Sequence, residues 1–195
     1  LGTGVAHGPM GTGWVTGGPV TGLAGGGGQG ADDRGLSVAV SRYRVSEMDP
    51  LAGHKTGCYM PRLLALREAQ KRGCGEALWF TTSYRLAEGS MSNVFFVKES
   101  RLCTPVKETP VLAGITRGVV LDLAADQGMA IEEGSYGIED LLEAREVFLT
   151  NSVQGIMSVG RVEGHVYGDG GCGPTTRSLM EAYARCVARE FGLTG

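Results

Sequence analysis

The sequence lacks the features that mark several common classes of protein. It has no apolar run near the ~20 residues that a bilayer-spanning helix needs, and no basic cluster of the kind that binds nucleic acid or an anionic membrane. Acidic and basic residues are mixed along the chain, and the formal net charge is −3. Residues 1–10 carry neither the basic start nor the apolar core of a signal peptide. We therefore expect no nucleic-acid partner and no membrane partner.

Cysteine is scarce and scattered. The chain has five cysteines, an odd number, and none of them forms a C-x-x-C pair. This excludes a regular disulfide framework or zinc site and favours a reducing, cytoplasmic location without a bound metal. We interpret each cysteine as a small, half-buried hydrophobic residue. The five are Cys58, Cys74, Cys103, Cys172 and Cys186.

Two regions of the chain differ in composition. Residues 1–35 hold 14 of the 33 glycines and few bulky apolar side chains, so they cannot bury enough surface to offset the entropy of ordering. We predict a low-complexity, disordered segment there. Residues 36–195 carry regular apolar patterns and are predicted to form the folded domain.

The patterned region predicts intermixed strands and helices. Strands are expected over 36–43, 77–82, 92–97, 147–150 and 155–162, with a turn at 87–90 between the second and third. Helices are expected over 61–72, 116–127, 139–143 and 174–191. The apolar side of the first is expected to consist of Leu63, Leu64, Leu66 and Ala69. Thr116 is the expected N-cap of the second helix. Because no regular βαβ repeat is visible, the predicted fold is α+β, a mixed α/β pseudo-barrel.

Four short segments form a set that suggests chemistry. They are HKTGCY at 54–59, AEGSMSNVF at 87–95, LAGITR at 112–117 and FLTNSV at 148–153. Each alone has an ordinary explanation: a surface lysine, an acidic turn residue, a helix start and a polar strand end. A glycine-led helix start can also hold a phosphate through its free N–H groups.

Taken in order, these segments resemble the class IV (fold-type IV) family of pyridoxal phosphate (PLP) enzymes. The signature runs K-T-x-x-Y, E-G-S-x-S-N-V-F, L-x-G-I-T-R and E-V-F-L-T-N-S, and GDGGCGPTTR at 168–177 continues it. The family includes branched-chain and D-amino-acid aminotransferases and 4-amino-4-deoxychorismate lyases. The resemblance spans about residues 36–193 and implies the PLP-binding large domain of such an enzyme.

The resemblance implies a role for each motif residue. Lys55 would be the catalytic lysine, which binds PLP as a Schiff base and moves a proton between the substrate α-carbon and the cofactor. Glu88 would pair with the pyridine nitrogen and keep the ring an electron sink. Tyr59 would lie near the ring. The phosphate would be bound by the remaining residues, Ile115, Thr116, Ser152 and Val153.

Two neighbours of these motifs receive ordinary interpretations. His54 precedes Lys55, but the lysine already transfers the proton in this family, so we assign His54 to packing or positioning. Arg117 begins a helix and is interpreted as a surface or packing residue rather than a ligand.

One part of the family pattern is missing. Members carry a smaller N-terminal domain with an R-L-x-x-H-x-x-R-L type of signature, which this sequence does not contain. That domain supplies part of the substrate pocket and of the dimer contact. We therefore expect the small domain to be absent. Its loss would leave the pocket half-built and would act against the activity of this chain. A homodimer is expected from the resemblance alone.

The reaction is open between three hypotheses. The run E-G-S-x-S-N-V-F favours an amino-acid aminotransferase acting on an amino acid and a 2-oxo acid. The pair Asn151-Ser152 instead resembles the aminodeoxychorismate lyases, which would release pyruvate and an aromatic amine. The third hypothesis is a non-catalytic remnant that folds but takes up no PLP. The aminotransferase is placed slightly ahead.

Overall fold

A computed structural model describes residues 34–190 and 192 of the chain. In this part the strands pair into a mixed sheet, with helices packed against it. The strands are β1 (Leu36–Val45), β2 (Glu76–Thr81), β3 (Leu86–Gly89), β4 (Asn93–Lys98), β5 (Arg101–Pro105), β6 (Ala130–Gly134), β7 (Glu146–Asn151), β8 (Gly155–Val162) and β9 (His165–Val166). The helices are α1 (Met60–Lys71), α2 (Ile115–Asp126), α3 (Ile138–Leu142) and α4 (Pro174–Glu190).

The sheet mixes parallel and antiparallel pairs. Its order is β3-β2-β1-β8-β7-β4-β5-β6, and β9 pairs with β8 off this path. Strand β1 runs parallel to both of its neighbours, and β5 runs parallel to β6; the other pairs are antiparallel. This arrangement confirms the prediction of an α+β fold built on a mixed sheet.

Three apolar clusters hold the layers together. One lies within the sheet around Leu78, Phe96 and Leu149. A second joins α1 to β1 and β2 and includes Trp79. The third lies beneath α2 and α4, where Phe95 and the Phe148 ring stack with centroids 5.0 Å apart. Helix α1 therefore covers β1 and β2, and helices α2 and α4 cover β4 and β7.

The helices and most strands lie within two residues of their predicted bounds, but several short elements were missed. The missed strands are β5, β6 and β9. The predicted turn at 87–90 is wrong at three of its four positions, because Ala87, Glu88 and Gly89 belong to β3. Pairing with β2 fixes these residues as a strand, and the chain reverses only after Gly89.

The apolar side predicted for α1 is right at one end and wrong at the other. Ala69 is buried against β1 and β2 as predicted, together with Ala65, but Leu63 and Leu64 are each 46% exposed. Small side chains allow the helix to approach the sheet closely, so the leucines are turned outward. The same rotation turns Arg62 inward, where it is mostly shielded from solvent.

Three further predictions concern the glycine-rich segment, the cysteines and membrane-spanning helices. The segment 1–35 lies outside the described residues except for its last two positions. All five cysteines are free, but Cys58 is exposed rather than half-buried. Across residues 34–190 no helix is both long and apolar enough to cross a bilayer.

Candidate active site

Glu88 is the most heavily bonded of the predicted site residues. It lies on β3 with 7% of its surface exposed. Its Oε1 accepts a hydrogen bond from Arg62 at 2.7 Å, and its Oε2 accepts one from the backbone N–H of Leu112 at 2.9 Å. The Asn93 side-chain amide reaches the same Oε2 at 3.4 Å. Arg62, 26 residues before Glu88, and Leu112, 24 residues after it, therefore meet at this one carboxylate.

The charge of Glu88 depends on opposing effects. Burial raises the pKa of Glu88, because a carboxylate loses its water there. The positive charge of Arg62 and the Leu112 N–H both oppose this by favouring the ionised form. The Arg62–Glu88 ion pair is itself largely buried, so removal of one member would leave an uncompensated charge.

The turn after Glu88 is held by a second buried carboxylate. Glu76 on β2 accepts hydrogen bonds from the backbone N–H groups of Ser90 and Met91 and from the Ser92 hydroxyl, at 2.9–3.2 Å. A side chain on Gly89 would overlap the Ser92 hydroxyl. Sequence reasoning missed Glu76, since an acid at the start of an apolar strand gives no sign of its long-range partners.

Asn93 connects Glu88 to the start of α2. Its amide nitrogen donates to the Leu112 carbonyl at 2.8 Å, and its side-chain oxygen lies where a Cβ on Gly114 would be. Only glycine therefore fits at position 114 with this arrangement. The contact sets the distance between the Glu88 carboxylate and the first turn of α2.

The first turn of α2 has the features of an anion-binding site. Gly114, not Thr116, is the N-cap residue, which corrects the prediction. No side chain caps this end, and the first turn carries no acidic residue. Ile115 is 80% exposed and Thr116 is 3% exposed, so the backbone at this end is open to solvent on the Ile115 side. Free N–H groups and the helix dipole favour an anion at such an end.

Arg117 is better described as a core residue than as a surface one. It is 2% exposed and donates to the Pro105 carbonyl and to Glu133. These bonds join α2 to β5 and β6. Arg117 therefore fixes the helix whose N-terminus forms part of the site, in agreement with a packing role.

Ser152 and Val153 lie in the turn that follows β7. The Asn151 side chain accepts the backbone N–H groups of Val153 and Gln154, which closes the turn. Strand pairing places Thr150 opposite Asn93, so this turn begins beside the Glu88 cluster. Both Ser152 and Val153 are exposed, and Val153 is 74% exposed.

Lys55 lies in the loop that leads into α1. Its side chain is exposed, and it forms no hydrogen bond or ion pair with the residues that the structure describes. The loop approaches the cluster at Gly53, whose φ is +76° and whose missing Cβ would lie 3.1 Å from the Val111 carbonyl. Tyr59 ends the loop as the N-cap residue of α1, and His54 is exposed. The amine of Lys55 is thus exposed and has no partner among the described residues, and it is Gly53, two residues earlier, that contacts the segment leading to Leu112.

The model of the family described as amino-transferase class IV matches residues 28–162, more than two thirds of the chain. The chain belongs to the class IV aminotransferases. A branched-chain-amino-acid aminotransferase of Salmonella typhimurium is 32% identical over 153 residues, which are 77% of this chain and 50% of the relative. This class IV chain therefore spans about half the length of the curated relatives it matches.

Solved structures of class IV proteins share the fold. A branched-chain aminotransferase from Thermobaculum terrenum in its PLP form is 30% identical with a TM-score of 0.74, over 78% of this chain and 51% of that one. A putative 4-amino-4-deoxychorismate lyase from Legionella pneumophila is 25% identical with a TM-score of 0.75, over 80% and 58%. The similarity therefore extends to proteins named for both reactions.

Proposed function

We propose that this chain binds PLP and uses it to transfer the amino group of an amino acid to a 2-oxo acid. The observation that carries the proposal is the hydrogen bond from the Leu112 N–H to the buried Glu88 carboxylate, two residues before the N-cap of α2. This bond joins the acid proposed for the ring nitrogen to the segment that leads into the helix end proposed for the phosphate. PLP carries both groups on one ring, with the nitrogen at N1 and the phosphate arm at C5.

The donors and acceptors of the site fit this cofactor. The uncapped start of α2 offers backbone N–H groups without a competing carboxylate in its first turn. The nearby Thr150 hydroxyl is buried and has no partner among the described residues. PLP, when bound, supplies an electron sink that stabilises negative charge at the substrate α-carbon.

Lys55 and Glu88 carry the proton chemistry in this proposal. Lys55 would hold PLP covalently through its amine and would later move the proton of the substrate α-carbon. Its side chain is exposed and has no partner among the described residues, so it would be free to do so. Glu88, which is paired with Arg62, would accept a hydrogen bond from the protonated pyridine nitrogen.

The remaining predicted residues bind and orient the cofactor. The N–H groups of Ile115 and Thr116 would contact the phosphate, with Ser152 and Val153 on the adjacent turn. Tyr59 would border the ring from the start of α1. None of these contacts changes protonation during the reaction; they fix the ring relative to Lys55.

A lyase reaction is the second candidate. The pair Asn151-Ser152 closes the turn beside the phosphate position, and the Legionella pneumophila structure shares the fold over 80% of this chain. Both reactions begin with removal of the α-proton by Lys55. They differ afterwards in whether a proton returns to the cofactor or a group leaves the substrate, which depends on residues around the substrate side chain.

Assembly and location are further proposals. We propose a cytoplasmic homodimer, as the family resemblance implies. The exposed apolar side chains of Met48, Leu51 and Met60, together with Leu63 and Leu64, border the Lys55 loop and would be shielded by additional protein. Sedimentation of the purified chain tests the dimer directly.

A half-reaction assay tests the proposed function. The chain is loaded with PLP and mixed in separate reactions with leucine, glutamate, D-alanine or aminodeoxychorismate. Formation of the matching 2-oxo acid with an equal amount of the aminated cofactor supports transamination. Pyruvate and an aromatic amine from aminodeoxychorismate support the lyase. No product from any donor, with PLP bound, contradicts both reactions and favours the non-catalytic hypothesis.

A further inference from the structure

Arg62 lies between the Glu88 carboxylate and the ring of Trp79. One terminal nitrogen donates to Glu88 Oε1 at 2.7 Å, and the other donates to the Gly89 carbonyl at 3.0 Å. The guanidinium carbon is 4.7 Å from the centre of the Trp79 ring, within range of a cation–π contact. Arg62 is thus fixed on three sides, although it belongs to none of the four motif segments.

We propose that Arg62 is a positioning residue for the PLP ring, acting through Glu88: it pairs with that carboxylate and orients it so that one acceptor position remains for the ring nitrogen. This inference rests on the proposed function, since it places PLP at Glu88. It adds to that function a residue outside the recognised motifs.

The acceptor geometry of Glu88 supports this role. An ionised carboxylate has about four lone-pair positions. Oε2 accepts from the Leu112 N–H at 2.9 Å and from the more distant Asn93 amide, so both of its positions are directed at protein. Oε1 accepts from Arg62 alone among the described residues. One position on Oε1 is therefore left for a donor from outside the protein, and Arg62 fixes its direction.

Arg62 is the positively charged partner of the buried Glu88 carboxylate. The other acid nearby, Glu76, has the same sign and opposes ionisation of Glu88. Asn93 is neutral, and the Leu112 N–H is a dipole. Arg62 supplies the positive charge against the cost of burying the carboxylate. Without Arg62, only the Leu112 N–H and the neutral Asn93 amide would oppose the cost of burying the charged carboxylate.

The two terminal nitrogens of the Arg62 guanidinium bind two different acceptors. One nitrogen binds the carboxylate while the other binds the Gly89 carbonyl in the next residue, which fixes the strand and the side chain together. A lysine has a single ammonium group and cannot span both acceptors in this planar arrangement. Arg62→Lys should therefore restore the charge and only part of the orientation.

Cofactor affinity measured with two ligands tests the proposal. The ligands are PLP and its deaza analogue, in which C–H replaces the ring nitrogen, and dissociation constants are obtained by equilibrium dialysis. The variants are Arg62→Met, which keeps an apolar side chain against Trp79, and Arg62→Lys. Arg67→Met is the matched control, because Arg67 is exposed on the same helix.

The expected result is a loss of discrimination between the two ligands. Arg62→Met should weaken PLP about tenfold, the effect of losing one charged hydrogen bond, and change the affinity for the deaza analogue less than about twofold. Arg62→Lys should lie between, and Arg67→Met should match the natural chain. Glu88→Gln should also lose the preference for PLP.

Three outcomes would overturn the proposal. Equal weakening of both ligands would mean that Arg62 only supports the fold. Unchanged or tighter binding of PLP to Arg62→Met would mean that Arg62 does not help the ring, or competes with it for Glu88. Failure of the natural chain to bind either ligand would contradict the proposed function itself. The first two outcomes, in contrast, require that the natural chain binds PLP and concern only the variants.

Discussion

The carboxylate of Glu146 at the start of β7 accepts the backbone N–H of Thr176 at the start of α4, at 2.8 Å. It also accepts the Thr175 N–H at 3.0 Å and the Thr176 hydroxyl at 2.8 Å. Glu146 thereby caps a helix that is distant in the sequence. A Cβ on Gly173 would overlap this carboxylate, so the chain must pass it closely.

Replacement of Glu146 should lower stability without changing the cofactor site. Glu146→Ala leaves three donors without their partner, two of them buried, and is expected to reduce the free energy of unfolding by about 3 kcal/mol. Glu146→Gln keeps one acceptor oxygen and should cost less. Urea denaturation measures both, with Glu181→Gln on the exposed side of α4 as the control. A loss no larger than that of the control would contradict the capping role.

Two glycines near the start of α2 should respond in opposite directions to alanine. Gly114→Ala places a Cβ against Asn93 and should reduce stability by about 2 kcal/mol and weaken PLP binding. Gly118 lies within the same helix with open space around its Cβ position, so Gly118→Ala should stabilise by up to about 1 kcal/mol. Thermal unfolding of the two variants checks the contrast. Similar changes in both would show that Asn93 does not limit position 114.

Glu76 should be required for the turn that follows Glu88. Glu76→Ala removes the acceptor of Ser90, Met91 and Ser92, and we expect a loss of about 3 kcal/mol in unfolding free energy together with weaker PLP binding. Urea denaturation and dialysis against PLP measure the two effects. Retention of full PLP affinity in a folded Glu76→Ala chain would show that the turn does not depend on this acid.

Stability should depend on Glu47 at acid pH. Hydrogen bonds from Thr81 and Thr82 lower the pKa of Glu47 from 4.5 to about 2. A depressed carboxyl pKa stabilises the fold above the ordinary value, and this contribution disappears as pH falls toward the folded value. The difference in Tm between the natural chain and Glu47→Gln should be constant above about pH 5 and shrink progressively as pH falls toward 2. A difference that is as large at pH 2 as it is above pH 5 would contradict the assignment.

The sequence was informative where a pattern is local. The helices α2 and α4 follow from apolar spacing and their bounding residues, and the motif segments pointed to the family. Glu88 was selected from its motif, yet its place in a strand was not predicted, because the neighbouring glycine and serines favour a turn and pairing with β2 prevails. The same long-range pairing accounts for β5 and β6. The latter is a largely exposed strand with the sequence AIEEG, which has little apolar signal.

The parts of the site that depend on long-range contacts could not be read from the sequence. Arg62 faces inward because Ala65 and Ala69 pack closely on the sheet, whereas the apolar spacing predicted that leucines would be buried together with Ala69. Glu76 bonds a turn 14 residues away, and nothing in its local sequence indicates this. Burial of a charged residue depends on its partners, which only the fold brings together.

The most direct test of the account is the site of covalent PLP attachment. The purified chain is mixed with PLP, its absorbance is recorded, and it is reduced with borohydride and mapped by mass spectrometry beside Lys55→Ala. Our account predicts an absorbance band near the visible edge and a phosphopyridoxyl group on the peptide that contains Lys55, both missing in Lys55→Ala. No label, or a label and band that persist in Lys55→Ala, would contradict it.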